Sequence, residues 1–120
     1  MANELDNPSP VLYSGQINIL QTEVFRAWLA GLRDPKARLR INDRLKRLAA
    51  GNAGDARPVG NDVQELRMRF GPGDRVYYIW RGKVLVVLLN GGDKRSQNRD
   101  IAKTKILAKE AEDGIEGPSV

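Results

Sequence analysis

The sequence predicts an α+β domain: a mostly antiparallel sheet with helices packed on one face, in the order strand, helix, helix, a run of strands, helix. Three observations predict it. Apolar residues recur at helical spacing in two stretches before residue 50 and in one near the C-terminus. Between Glu65 and Arg81 they alternate with polar residues at period two, as in half-buried strands. The run "VLVVLLN" that follows is apolar on both faces, as a covered central strand must be.

Residues 1–10 are polar and contain Pro8 and Pro10, so they read as a disordered tail, and residues 113–120 read the same way. One domain over 11–112 is the expectation. A short strand falls near Ile17–Leu20, and Thr22 is placed to cap a first helix, in which Val24, Phe25, Trp28, Leu29 and Leu32 form one stripe. Asp34-Pro35 supplies a cap and a first helical residue for a second helix, about Lys36 to Ala50, with Ile41, Leu45 and Leu48 inward. "GNAGDARPVGND" reads as a loop.

Strands follow. In "QELRMRF", Leu66, Met68 and Phe70 are expected in the core, with Arg67 and Arg69 on the opposite side. "GPG" marks a turn. In "DRVYYIWR", Arg75, Tyr77, Ile79 and Arg81 share one face, and Val76, Tyr78 and Trp80 the other, where Tyr78 and Trp80 read as core aromatics. Arg81-Gly82-Lys83 is a hairpin link. Gly91-Gly92 is expected to let the chain turn into a last helix, "SQNRDIAKTKILAKEAED", whose Ile101, Ile106 and Leu107 pack inward. On this reading one sheet face stays open and polar, and its arginines project into a single concavity.

Charge sharpens the functional reading. All 20 Lys and Arg lie between Arg26 and Lys109, and residues 11–109 carry 20 positive and 9 negative charges, a net of +11. A domain this basic expects a polyanion or an acidic protein as partner. The second helix offers Arg40, Arg44 and Arg47 either as a rail for RNA phosphates or as an ordinary solvated face. The chain has no histidine and no cysteine, which removes the commonest general base, disulfides and thiolate metal sites. The remaining carboxylates show no metal-type spacing, and no cofactor is expected. No basic region followed by an apolar run opens the sequence, and the longest apolar run, Val84 to Leu89, is too short for a bilayer. A cytoplasmic protein without membrane contact is the expectation.

The stretches "ELRMRFGPGDRVYY", "VLLNGGDKRSQNRDI" and "AKTKILAKE", preceded by "WLAGLRDPKARLRINDRLKRLAAGNAGDARPVG", resemble the RelE/ParE superfamily of toxins from type II toxin–antitoxin systems. The likeness is closest to the HigB-like "addiction module killer protein" group and covers about residues 12–110. It implies a compact RelE-like fold and a growth-inhibitory protein neutralised by a cognate antitoxin, in HigB-like pairs often a HigA-like helix-turn-helix protein. RelE-type members cut mRNA in the ribosomal A site without metal, whereas ParE-type members poison DNA gyrase. A third possibility is a remnant that binds antitoxin alone.

By position, the family's active residues fall on Arg67 and Arg75 as phosphate and transition-state ligands, and on Lys94 as a phosphate ligand or proton carrier. Arg69 and Arg95 accompany them as RNA contacts. Tyr77 is a candidate for stacking on a base or relaying a proton, though packing is the commoner role for such a residue. Such chemistry is feasible without histidine. The 2′-hydroxyl of RNA attacks the neighbouring phosphate, and guanidinium forks stabilise the added negative charge. Two positions depart from the family pattern: Asp74 stands where tyrosine is frequent, and the C-terminal tyrosine of some RelE-type ribonucleases is absent. Asp74 offers Arg75 an ion pair, and Glu65 offers one to Arg67 or Arg69.

Overall fold

The computed structural model describes residues 10–115, with side chains to Ala111. Its elements are β1 (Val11–Tyr13), β2 (Asn18–Gln21), α1 (Glu23–Ala30), α2 (Pro35–Ala49), β3 (Ala56–Gly60), β4 (Val63–Arg67), β5 (Arg75–Trp80), β6 (Leu85–Gly92), a 3₁₀ turn (Lys94–Ser96) and α3 (Gln97–Ile115). The fold is α+β, as expected. The expected tails fall outside the described residues, apart from Pro10 and the backbone of 113–115, through which α3 runs past the expected domain end.

Six strands form one sheet in the order β1-β2-β6-β5-β4-β3. All neighbours are antiparallel except β2 and β6. Thr22 ties that parallel pair to α1. Its hydroxyl donates to Leu88 O at 2.9 Å and accepts from Phe25 N at 3.2 Å, capping the helix as the sequence suggests. Asp34 caps α2 by accepting from Lys36 N at 2.9 Å.

Two strands were not legible. β1 is three residues long. β3 lies inside the supposed loop, paired with β4 around Asn61-Asp62, both at positive φ. A two-residue Asn-Asp link of this kind is a hairpin signal, and it was present in "PVGNDVQ".

The sheet is covered on both faces, not one. On the first face Phe25 of α1 and Ile41, Leu45 and Leu48 of α2 pack against Leu66, Met68, Val76, Tyr78, Val86 and Leu88. On the second face Ile101, Ala108 and Ala111 of α3 pack against Val63, Tyr77, Ile79, Val87 and Leu89. Each fully buried side chain of this kind contributes about 1.5–3 kcal/mol. α3 can lie flat because the β6 end carries no side chain there. A Cβ on Gly92 would collide with the Asp100 carboxylate of α3, and one on Gly91 with the Trp28 ring of α1. The glycine pair therefore ends a strand between two packed helices and makes no turn. Asp93 opens the next element, accepting from Arg95 N and Ser96 N in a capping box.

Three apolar assignments change. Phe70, Trp80 and Ile106 are 60%, 39% and 62% exposed, respectively, where the core was expected. For Phe70 the cause is that β4 ends at Arg67, so the period-two alternation stops before it. Among the described residues, no helix is long and apolar enough to cross a membrane.

Candidate nucleic-acid interface

The site is built on neighbouring rungs of the β4–β5 ladder, where Glu65 faces Tyr77 and Arg67 faces Arg75. Strand alternation puts Val63, Glu65 and Arg67 on the α3 side, together with Arg75, Tyr77 and Ile79. Under α3, Glu65 is wholly buried. Its carboxylate accepts from Gln97 Nε2 of α3 at 2.8 Å and from Arg57 Nε of β3 at 3.2 Å. Arg75 Nε lies 3.8 Å from it, an ion-pair contact too long for a hydrogen bond. Arg75 is also buried, and its NH1 donates to Gly73 O at 2.9 Å. The carboxylate thus holds one arginine from the edge strand and one from the centre.

Tyr77 belongs to the same buried cluster. It is wholly buried, and its hydroxyl makes no hydrogen bond of normal geometry. Burial first, then the negative charge of Glu65 beside it, push its phenol well above the ordinary value. The expectation that Tyr77 shares an open face with Arg75 is therefore corrected. It reaches no base for stacking and has no phenolate near neutral pH to relay a proton.

Toward the turn the surroundings change. Gly71 and Gly73, both at positive φ, fold the chain back, and Gly73 N donates to Phe70 O at 3.0 Å. Pro72 O accepts from Lys94 N at 3.2 Å, which brings the 3₁₀ turn after β6 against the β4–β5 turn. Arg67, Arg69, Arg75 and Lys94 then line one cleft of about 250 Å³ with Met68 and the turn, and no acidic residue lines it. The three side chains singled out for catalysis converge here. Among the described residues no ion pair engages Arg67 or Lys94, and Arg67 Nε is buried without a partner. Arg69, on the rim, is bridged to Asp55 at 2.8 Å, and this hydrogen bond holds the Asp55 carboxyl below the usual carboxylate range. Lys94 also borders a second cleft of about 600 Å³ over the start of α3, which Arg95 and Arg99 line.

The three α2 arginines do not form a rail. Arg44 is consumed by structure: it donates to Arg67 O at 2.6 Å, to Ala53 O at 3.1 Å and to Asp55 O at 3.2 Å. It thereby fixes the backbone that carries Arg67. Arg47 pairs with Asp43 at 3.0 Å. Arg40 sits over the Phe70 ring, 4.8 Å from its centroid. The expected Asp74–Arg75 pair is also absent. Asp74 is buried, and burial and then Asp93 raise its carboxyl pKa.

No family model matches the chain. A Haemophilus influenzae chain, described as an uncharacterized protein, is 46% identical over 94 residues, 78% of this chain and 95% of its own length. The present chain belongs to the same family. The relative is matched over nearly its whole length, so the two chains share the compact unit described above. Arginine and lysine in an acid-free cleft suit this unit to phosphate oxygens: the guanidinium offers a planar fork of donors and the ammonium a compact charge.

Proposed function

We propose that the chain is the toxin of a type II toxin–antitoxin pair and an endoribonuclease that cuts mRNA on the ribosome. The observation that carries this reading is the convergence of Arg67, Arg75 and Lys94 in one cleft without an acid. The resemblance to RelE/ParE toxins, HigB-like in its motifs, supports it. In the proposed reaction the 2′-hydroxyl gives its proton to solvent water, its oxygen bonds to the adjacent phosphorus to form a 2′,3′-cyclic phosphate, and the 5′-oxygen leaves. Arg67 and Arg75 hold the non-bridging oxygens, where negative charge grows, and Lys94 holds a phosphate oxygen or donates the proton that the leaving oxygen needs. The cleft walls contain no carboxylate or histidine to serve as base. The ribosome is assigned the in-line alignment of the bond, which by itself supplies a large share of a rate enhancement. The protein acts in the cytoplasm, and a helix-turn-helix antitoxin of the HigA-like kind covers the basic surface.

One observation favours a second reading. Tyr77 is buried and its phenol pKa raised, so the cleft holds no evident base. A ParE-like gyrase inhibitor, which binds without chemistry of its own, needs none. Primer extension on a reporter mRNA in a purified translation system separates the two. Cleavage that requires translating ribosomes is expected. Intact mRNA, from a protein that arrests growth and blocks gyrase supercoiling, would transfer the cleft to gyrase binding.

A further inference from the structure

Phe70 is a large aromatic side chain, 60% exposed, on the turn that builds the cationic cleft. Its chain neighbours Arg69 and Gly71 both line that cleft. The Arg40 guanidinium lies over the ring at 4.8 Å from the centroid. Gly71 leaves the approach open, since nothing other than its chain neighbours stands within 4 Å of where its Cβ would be. Bases of single-stranded nucleic acid stack on exposed aromatic rings beside basic grooves, and the chemistry around this ring fits that use. An apolar protein segment would meet guanidinium groups beside this ring. A nucleotide meets an aromatic face with a cation on it, and next to these a cleft for its phosphate.

We propose that the Phe70–Arg40 pair is a nucleobase platform. A single-stranded RNA chain would stack a base on it while the adjoining phosphate enters the cleft of Arg67, Arg75 and Lys94. The inference rests on the ribonuclease reading of that cleft and deepens it: Phe70 makes binding depend on the base and not on the backbone alone. Stacking of this kind tolerates any base, because every base has a π-face.

The test uses a 2′-O-methyl uridine hexamer, which cannot be cleaved, and an abasic ribose-phosphate chain of the same length. Binding of each is followed by fluorescence anisotropy with the full chain at low salt. Wild type is expected to prefer the hexamer. Phe70→Ala is expected to weaken hexamer binding about fivefold or more, down toward the abasic value, and to leave the abasic probe unchanged. Phe70→Trp restores the preference. Lys94→Ala weakens both probes. Equal binding of the two probes by wild type, or a Phe70→Ala variant indistinguishable from it, overturns the platform and assigns the ring to protein docking or packing, with the phosphate cleft intact. If Lys94→Ala weakens neither probe, the ribonuclease reading falls as well.

Discussion

Two ends of one strand pair use arginine in opposite ways. At the α3 end, Arg57 and Arg75 surround a fully buried Glu65, and Gln97 completes its hydrogen bonding. Two residues along β4, at the turn end, Arg67 and Lys94 face a cleft with no carboxylate in its walls. The strand geometry is the same and the residue type is the same. What differs is whether an acid lies within reach and whether a helix covers it. A cation matched by a buried acid is committed to the fold. A cation left unmatched at an opening is available to a ligand, and it costs the fold stability through repulsion from its neighbours. Arg75 stands at the boundary, held by Glu65 on one side and lining the cleft on the other.

The largest effect should come from breaking the buried end. Glu65→Ala leaves Arg75 buried without its counter-ion, and removing one partner of a buried pair costs about 3–5 kcal/mol. Urea denaturation should show a loss of that size. A loss below about 1 kcal/mol, the value of exposed pairs, would erase the contrast between the two ends. The same coupling makes Arg75→Ala a poor probe of chemistry, since it disturbs the fold and the cleft together.

A smaller effect is expected at Asp74. Its carboxyl pKa is raised in the folded state by burial first and by Asp93 second. The folded state therefore binds more protons than the unfolded one between the unfolded value, about 3.9, and the higher folded value. Its contribution to stability falls as pH rises through that window, and the cost persists at neutral pH. Asp74→Asn should accordingly stabilise the protein at pH 7, by about 1 kcal/mol or less, and the gain should vanish below pH 3. A destabilised variant at pH 7 would mean that the Asp74 carboxylate is matched by Arg40 or Arg75, and that an acid does engage the cations around the cleft.

Much of the fold could be read from periodicity and caps. Thr22 and Asp34 start their helices where polar caps precede apolar stripes, β4 and β5 follow alternation and the "GPG" turn, and β6 follows its apolar run. The second layer of helix could not be read. Alternation shows that Arg75, Tyr77 and Ile79 share a face, but not that α3 lies over it. That ambiguity moved Tyr77 from surface to core; Phe70 went from core to surface for a different reason, because β4 ends before it. The arginines and lysine of the cleft were singled out by the resemblance to RelE/ParE toxins; alternation placed Arg67 and Arg75 on strands, but the contact that brings Lys94 to them, from its N–H to Pro72 O, could not be read from the sequence. Glu65 was visible as a partner for arginine, but its partners Arg57 and Gln97 come from a strand hidden in an apparent loop and from the covering helix.

The central claim is that the unmatched cations form the working site. Lys94→Ala tests it most directly, because Lys94 is exposed, makes no ion pair among the described residues, and sits in the cleft. Ribosome-dependent mRNA cleavage, measured by primer extension beside the melting temperature of the same preparation, should fall on the order of 100-fold with the melting temperature unchanged. Undiminished cleavage by a folded Lys94→Ala protein would contradict the account.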